Sequence, residues 1–331
     1  MEIIVVEELT KIFGKLVAVD HISFTVKEGE IFGFLGPNGA GKTTTINMLT
    51  TLIKPTSGSA TIAGFDVERD EDKVRRIIGL VPQDLTVDED LTGMENMMLQ
   101  ARLYHIPKDE AKRRIKEVLE LVSLSDFADK KVETYSGGMR KRLELAEGLI
   151  HYPRILFLDE PTLGLDVQTR AVMWDYIKKL KEERDMTIFM TTHYMDEADS
   201  LCDRVAIIDE GRIKALDTPS NLKDSLGGDI IELELIDPPE DIIPKLSQLS
   251  MVREVKEKGS IYRLKVLHGE EALPSIMRKI IEMGIGVRRV SLEKPSLDQV
   301  FLEYTGRELR DMEGGREEVR RMRRIMRGVR R

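Results

Sequence analysis

A short glycine-rich segment, residues 36–44, constrains the fold of this 331-residue chain more than any other part of its sequence. It matches the phosphate-loop pattern G-x-x-x-x-G-K-[ST] and lies between a predicted strand, residues 30–36, and a helix predicted to start near Lys42. Glycines let backbone amides turn toward a phosphate, and the helix start and the Lys42 ammonium add positive charge. A plain turn between strand and helix would not explain Lys42 followed by Thr43. We therefore expect Thr43 to hold magnesium and the phosphates to be bound by Gly36, Pro37, Asn38, Gly39, Ala40, Gly41, Lys42, Thr43 and Thr44.

A second polar feature follows the apolar run of residues 155–158, which ends directly in Asp159 and Glu160. In phosphate-loop enzymes an acidic strand end brings carboxylates to the metal and to the attacking water, and this one resembles a Walker B motif. We expect Asp159 to hold magnesium, directly or through water, and Glu160 to orient and polarise the hydrolytic water. The alternative is a strand that ends in a solvated acidic pair.

The third motif is Tyr-Ser-Gly-Gly-Met at residues 135–139, followed by a predicted helix through Leu149. It is a second glycine-rich helix start, without a lysine, and its amides are also suited to bind phosphate. The order of phosphate loop, Ser-Gly-Gly at a helix start and acidic strand end resembles the nucleotide-binding subunit of an ABC transporter. The resemblance covers residues 1–220.

This resemblance implies ATP and Mg²⁺ as cofactors and two subunits that face head to tail. Each ATP would lie between the phosphate loop of one subunit and Ser136, Gly137 and Gly138 of the other. The chain has Tyr135 and Met139 where the family has Leu and Gln, which spares the hydroxyl and the amides but removes one polar side chain.

The resemblance also assigns roles to single residues. It implies that Gln83 contacts magnesium or water and relays the nucleotide state to the membrane partner, and that His193 contacts the γ-phosphate in catalysis. It further implies that Asp166 bridges the two subunits and that Phe13 stacks on adenine. Taken alone, His193 fits a structural histidine and Phe13 fits core packing, but their places in the series favour the functional interpretation.

Apolar patterns predict the fold class of the first part of the chain. Residues 3–64 are β-rich, residues 94–121 have helical periodicity, and later apolar runs alternate with helical segments, as in a buried parallel sheet. Those runs are residues 155–158, 187–190 and 205–208. We expect an α/β ABC-type P-loop NTPase domain with a mixed or parallel sheet core, an antiparallel β subdomain and a helical subdomain.

A second unit is predicted to have the order βαββαβ, which is typical of a small α+β ferredoxin-like domain. Its predicted elements are strand 230–235, helix 242–249, strands 252–257 and 261–267, helix 273–283 and strand 287–292. The expected domains are the ATPase domain at 1–220 with a helical insert at about 90–150, the accessory domain at 228–306 and a basic tail at 307–331.

Composition excludes several classes of protein. The longest apolar stretches fall far short of the ~18 residues that a transmembrane helix needs, and the amino terminus lacks the pattern of a signal peptide. A formal net charge of -8 argues against a general nucleic-acid binder. The single cysteine, Cys202, is expected to be packed and without a chemical role. We therefore expect residence in the cytosol, at the inner face of the cell membrane through a partner.

The accessory domain resembles that of ATPases of the daunorubicin-resistance type of drug exporter, on residues that include 293–301. This implies export of drugs, lipids or other amphipathic compounds, and a homodimer contact from Leu297, Val300 and Phe301. A passive cap on the ATPase is the alternative. The arginine-rich tail is a candidate amphipathic helix that lies on an anionic membrane or on the partner, against the alternative of a solvated tail.

Two further functions share the same nucleotide site. One is an ABC-type ATPase that acts on ribosomes or chromosomes, and the other is a nucleotide-binding regulator that never hydrolyses ATP. About 120 residues separate the phosphate loop from the acidic strand end, without a heptad run, and Glu160 is present; both features favour a transport ATPase. The expected partners are a separately encoded transmembrane permease and a second copy of the chain, without nucleic acid.

Overall fold

The computed structural model describes residues 1–239, 241–259 and 261–306. The chain folds into two compact units, Met1–Leu216 and a second one that begins at Asp217. The basic tail predicted at residues 307–331 lies outside the described residues. Among the helices that are described, none is long and apolar enough to cross a membrane.

The first unit alternates strands and helices along the chain. Its elements are β1 (Glu2–Phe13), β2 (Leu16–Lys27), β3 (Ile31–Leu35), α1 (Lys42–Leu49), β4 (Ser57–Ile62), β5 (Phe65–Asp66), α2 (Glu71–Ile77), β6 (Ile78–Val81), α3 (Gly93–Leu103), α4 (Lys108–Leu121), α5 (Gly137–Leu149), β7 (Ile155–Asp159), α6 (Val167–Arg184), β8 (Thr187–Thr192), α7 (Met195–Leu201), β9 (Arg204–Asp209) and β10 (Arg212–Asp217).

A six-stranded sheet in the order β10-β9-β3-β8-β7-β6 forms the centre of this unit. Strands β9, β3, β8, β7 and β6 pair in parallel. Every residue of β3, β7 and β8 is buried, as expected for strands covered on both faces. The predicted buried parallel sheet is confirmed.

A second, antiparallel sheet has the order β2-β1-β4-β5 and shares one hydrophobic core with the parallel sheet. Aromatic rings join the two sheets: Phe24 of β2 stacks on Phe32 of β3 with centroids 5.4 Å apart, and it lies 6.0 Å from Phe189 of β8. Phe157 of β7 lies 5.5 Å from the same Phe189 ring. These packed rings fix the strands whose carboxyl ends carry the predicted site residues.

The helical insert consists of α3, α4 and α5. Helix α3 begins with a capping box, in which Thr92 and Glu95 satisfy each other's backbone amides. The chain leaves the helical conformation before Pro107, which disfavours a helical residue ahead of it, and α4 then buries Ile115 and Val118 on its apolar face. The last helix of the insert, α5, begins at Gly137.

The second unit has the predicted βαββαβ order within a pair of flanking helices. Its elements are α8 (Pro219–Ser225), β11 (Asp229–Ile236), α9 (Ile242–Ser247), β12 (Val252–Lys258), β13 (Ile261–Val266), α10 (Gly269–Glu282), β14 (Gly286–Glu293) and α11 (Leu297–Thr305). The sheet order is β12-β13-β11-β14 with antiparallel pairs throughout, which confirms the ferredoxin-like fold. Leu233, Leu264 and Ile276 belong to its core.

Helix α10 begins four residues earlier than predicted, at Gly269 instead of Leu273. The Gly269 amide donates to the Asp229 carboxylate at 2.7 Å, and the acidic residues of the first turn stabilise the helix start. These polar residues carry no apolar periodicity, so the sequence pattern missed the first turn.

The expected homodimer contact from Leu297, Val300 and Phe301 is wrong. All three side chains lie on α11 and are at most 1% exposed within the single chain. Helix α11 packs with α8, whose Leu222 is also buried. Residues buried in this way are not available to a second copy.

Candidate functional site

The loop between β3 and α1 has positions that only glycine fits. Gly39 and Gly41 have φ angles of 84° and 107°, in the left-handed region that side chains disfavour. A Cβ at Gly36 would lie 2.2 Å from the carbonyl oxygen of Ile208, and one at Gly41 would lie 2.6 Å from that of Ala18. The loop therefore holds its backbone close to the start of α1, in the arrangement that binds phosphate. Of the remaining predicted loop residues, Asn38 and Thr43 are exposed and Pro37, Ala40 and Thr44 are buried.

Lys42 joins this loop to the acidic end of β7. Its ammonium group donates to the carbonyl oxygens of Gly36 at 2.6 Å and Pro37 at 3.1 Å. The same nitrogen lies 3.0 Å from Oε1 of Glu160, and both side chains are about 5% exposed or less. A cation and a carboxylate thus meet in a site shielded from water, where electrostatic interactions are strong.

Glu160 is held from three sides. Its amide donates to the carbonyl of Thr191 at 3.2 Å and to the Thr191 hydroxyl at 3.0 Å, and its φ angle is 50°. Nδ1 of His193 lies 3.1 Å from Oε2 of the same carboxylate. The preceding Asp159 accepts the Thr191 hydroxyl at 2.5 Å. The two carboxylates are therefore fixed by residues from β8 and the loop that follows it.

The two adjacent carboxyl groups are shifted in opposite directions. Burial raises the pKa of Asp159, an effect that the hydrogen bond from Thr191 opposes. Burial also raises the pKa of Glu160, but the hydrogen bond to His193 and the charge of Lys42 outweigh it and lower that pKa to about 2. Glu160 is thus an ionised carboxylate at neutral pH, in the form that polarises a water molecule.

The residues predicted to hold Mg²⁺ offer hard oxygen ligands. The Thr43 side chain is exposed, and its hydroxyl, after that of Thr191, lowers the pKa of the buried Asp159 carboxyl group against the effect of burial. Gln83 is half-buried and directly follows the end of β6. Because β6 pairs in parallel with β7, Gln83 lies at the same edge of the sheet as Asp159. Within the described residues no group of three or more His, Cys, Asp or Glu side chains forms a metal cage. The set fits Mg²⁺, which usually combines one or two protein oxygens with substrate phosphates.

The Ser-Gly-Gly motif forms the start of α5. The Ser136 hydroxyl accepts the amide of Met139 at 3.2 Å as an N-cap, and Ser136 and Gly137 are exposed. Tyr135 is buried and donates its hydroxyl to the carbonyl of Phe127 at 2.6 Å, so that it anchors the motif to the helical insert. Met139 is half-buried beside Gly138. The bonds of Ser136 and Tyr135 stay within the insert, and the helix start faces outward.

The remaining predicted site residues lie outside this cluster. Phe13 ends β1, is half-buried and has the ammonium of Lys11 5.1 Å from its ring centroid; it is not part of the hydrophobic core. Asp166 is exposed and caps α6, where it accepts the amides of Gln168 and Thr169 at 3.0 Å. The Thr169 hydroxyl and these amides lower the pKa of Asp166.

Sequence reasoning missed a buried group behind the site. Glu197 of α7 accepts the Thr162 hydroxyl at 2.8 Å and the indole of Trp174 at 2.9 Å, and burial raises its pKa. Thr191, which fixes both Asp159 and Glu160, was also missed. For Thr191 the available signal was a polar residue directly after the apolar run of residues 188–190, since buried polar residues need a partner. Glu197, which has Asp196 beside it, carried no such signal.

Two family models match the chain. The model described as "ABC transporter" matches residues 19–163, and the one described as "ATP-binding protein DrrA1-3-like, C-terminal domain" matches residues 218–305.

Several curated relatives are similar over most of the chain. It is 39% identical over 308 residues to the linearmycin resistance ATP-binding protein of Bacillus subtilis, covering 92% of this chain and 99% of that protein. It is 42% identical to a daunorubicin resistance ATP-binding protein of Streptomyces coeruleorubidus, covering 91% and 94%. The Nod factor export ATP-binding protein I of Burkholderia lata is 39% identical, covering 91% and 96%.

Solved structures resemble about two thirds of the chain. A dimeric ATP-binding cassette in a post-hydrolysis state with ADP and Pi is 29% identical, with a TM-score of 0.58, and the match covers 65% of this chain and 98% of that one. A dimeric bacterial ABC transporter cassette is 30% identical, with a TM-score of 0.60 and the same coverage of 65% and 98%.

Proposed function

Because the chain belongs to the ATP-binding subunits of ABC transporters, of the daunorubicin-resistance type, we propose that two copies clamp two ATP molecules head to tail and drive export through a separate permease. The chain is an ATPase, and subunits of this family dimerise and work with permeases. The observation that carries the hydrolytic part of the proposal is the buried Glu160 carboxylate between Lys42 and His193.

In the proposed mechanism, ATP enters the loop at residues 36–44 and its phosphates take hydrogen bonds from loop amides and charge from Lys42. Glu160, held ionised beside Lys42 and His193, accepts a hydrogen bond from the attacking water and aligns it with the γ-phosphate. His193 orients Glu160 through the 3.1 Å contact and reaches the γ-phosphate from the loop that follows β8. The site is preorganised, because the contacts that hold Glu160 against Lys42 and His193 are made within the protein itself.

The magnesium ion is assigned to Thr43 and Asp159, with Gln83 as a further ligand or as a contact of the water. When bound, Mg²⁺ neutralises charge on the phosphates. The exposed Thr43 hydroxyl and the Asp159 carboxylate supply the oxygen atoms that this ion prefers. Thr191 keeps Asp159 in place by its hydroxyl.

The outward-facing start of α5 supports the head-to-tail dimer. Ser136, Gly137 and Gly138 offer a hydroxyl and amides at a helix N-terminus to the nucleotide of the opposite subunit. The dimeric cassettes among the similar structures support a dimer of the subunit. Asp166, at the start of α6, is assigned to the contact between subunits, and Phe13 to the adenine ring.

The direction of transport and the class of cargo rest on the relatives. Their names describe resistance to linearmycin and daunorubicin and export of Nod factor, so the proposed cargo is a drug, lipid or other amphipathic compound. The same names favour transport over action on ribosomes or chromosomes. The subunit would sit at the inner face of the cell membrane through its permease, with the arginine-rich tail near anionic lipid.

The test is the identity of what co-purifies with a tagged Glu160→Gln chain from detergent-solubilised native membranes in ATP. A polytopic permease, retained in ATP and weaker without nucleotide, is the expected partner. The matched control adds Lys42→Ala to the same chain, which removes the nucleotide response. Recovery of ribosomal or DNA-associated proteins in place of a permease would overturn the proposal.

A further inference from the structure

The segment that carries Gln83 is fastened to helix α5. Strand β6 ends at Val81, which still pairs with Leu158 of the parallel sheet. From the next residue on, the backbone is bound by α5: the Lys141 ammonium donates to the carbonyl of Gln83 at 3.0 Å and to that of Pro82 at 3.4 Å. The change of partner, from the parallel sheet to helix α5, thus falls between Val81 and Pro82.

Glu144, one helical turn after Lys141, holds the other end of the segment. Its carboxylate accepts the amide of Thr86 at 2.6 Å and the hydroxyl of the same residue at 3.3 Å. Residues 82–86 are therefore hydrogen-bonded at both ends by side chains of α5. Because these side chains bind the backbone, they fix the position of the Gln83 Cα, from which its side chain extends.

Lys141 and Glu144 also form a buried ion pair. Their charged groups lie 3.0 Å apart, with side chains 7% and 1% exposed. Burying two charges costs much of what their attraction returns, and apolar residues in such positions often stabilise a protein as well or better. The hydrogen bonds that the pair makes to residues 82–86 point to a role in positioning.

The same attachment continues along the chain. The Asn96 side chain of α3 exchanges hydrogen bonds with the backbone of Asp88, at 2.9 Å in each direction, and Arg140 of α5 pairs with Glu89 at 2.5 Å. Residues 82–89, which follow β6, are thus attached by side-chain contacts to α3 and α5 of the helical insert. Helix α5 itself begins at the exposed Ser136 motif.

We propose that Lys141 and Glu144 are positioning residues for Gln83, which make residues 82–86 follow α5 when ATP of the opposite subunit seats against its start. This inference rests on the proposed function, because it needs the head-to-tail dimer. Nucleotide bound at the start of α5 then sets Gln83 in the site of the same subunit. Each of the two sites is completed only when the other one holds ATP.

The test uses the double variant Lys141→Met/Glu144→Gln, which removes both charges, so that neither is left buried and unpaired, and cuts the bonds to Pro82 and Gln83. We expect its ATP turnover to fall about tenfold. In a Glu160→Gln background, the ATP-trapped dimer should form within about twofold of its usual affinity. The matched control is Lys279→Met/Glu282→Gln, an exposed pair at 2.8 Å with the same spacing, which should leave both unchanged.

A double-mutant cycle with Gln83→Ala separates positioning from a general loss of stability. If the pair acts through Gln83, adding the double variant to Gln83→Ala costs less than about twofold more in turnover. Thermal unfolding of each protein confirms that it is folded. Losses that multiply in the cycle, or an undiminished turnover of the double variant, would overturn the inference.

Failure of the proposed function would be seen in a different protein. If the Glu160→Gln chain with Lys141 and Glu144 intact forms no dimer in ATP, the head-to-tail arrangement fails and the inference fails with it. If that dimer forms and is lost only in the Lys141→Met/Glu144→Gln chain, the pair supports the fold or the interface and the inference alone is wrong.

Discussion

The two units contain ion pairs of similar length that differ in how far water reaches them. Lys42 and Glu160 lie 3.0 Å apart at the end of β7 and are 4% and 5% exposed. On the sheet of the second unit, Arg263 and Glu232 lie 2.6 Å apart with 43% and 18% exposure. Water screens the second pair but hardly reaches the first. The comparison teaches that exclusion of water, more than distance, sets how strongly the two charges of a pair interact.

Removing the buried carboxylate charge should have the largest effect. In Glu160→Gln the side chain keeps its size but loses the charge that polarises water, so we expect turnover to fall on the order of 10²- to 10⁴-fold while ATP still binds. Phosphate release and equilibrium ATP binding measure the two effects. The control is Glu232→Gln in the exposed pair, which should keep full turnover. Undiminished turnover in Glu160→Gln would contradict its assignment.

Removing the buried cation should act on binding. In Lys42→Ala the phosphates lose a charge-assisted donor, so we expect ATP affinity to fall roughly 10- to 150-fold. Titration with a fluorescent ATP analogue measures this change, and Arg263→Ala serves as the control. An unchanged affinity would mean that the loop amides alone hold the phosphates.

The next expected effect is intermediate in size and concerns Glu147, a partly buried carboxyl group on α5. Burial, and then the charge of Glu144, raise the pKa of Glu147 from 4.5 to about 7. The folded chain therefore binds this proton more tightly than the unfolded chain, and the free energy of unfolding decreases as pH rises from 4.5 to about 7. We expect Glu147→Gln to gain stability relative to the original chain across that range and to keep a constant advantage above it. Urea unfolding of both proteins at pH 5 and pH 8 tests this, and an equal difference at both values would contradict it.

The smallest effect is expected on the exposed sheet. Arg263→Ala breaks a pair that water already screens, so the free energy of unfolding should change by no more than about 1 kcal/mol. Urea unfolding measures the change, with Arg288→Ala, in the similar pair with Glu234, as a parallel case. A loss of several kcal/mol would show that exposure is a poor guide to the value of these pairs.

Local signals in the sequence predicted much of the fold. Gly39 and Gly41 are needed by the backbone of their own loop, and the apolar runs of β7 and β8 are long enough to mark buried strands. Partners from distant elements were beyond such signals. Thr191 meets Asp159 only because β8 pairs with β7, and Lys141 meets Gln83 only through the packing of α5.

Apolar residues gave the least certain guidance. The spacing of Leu297, Val300 and Phe301 fits a helix with one apolar face, but it does not tell whether that face meets the same chain or another copy. In the structure the face is buried within the chain. The roles of Gln83, Asp166, His193 and Phe13 toward ATP stay predictions, since their contacts form partly with a ligand or a second subunit.

Trp174 is the only tryptophan in the sequence. Its indole donates to Glu197, whose carboxylate also accepts the hydroxyl of Thr162. Thr162 lies four residues before Asp166, and Glu197 lies four residues after His193. The ultraviolet emission of the indole therefore originates at one known point between the two loops, and its wavelength follows the polarity there. The protein carries an intrinsic fluorescent reporter for that point, which can be followed in stopped-flow experiments without a label.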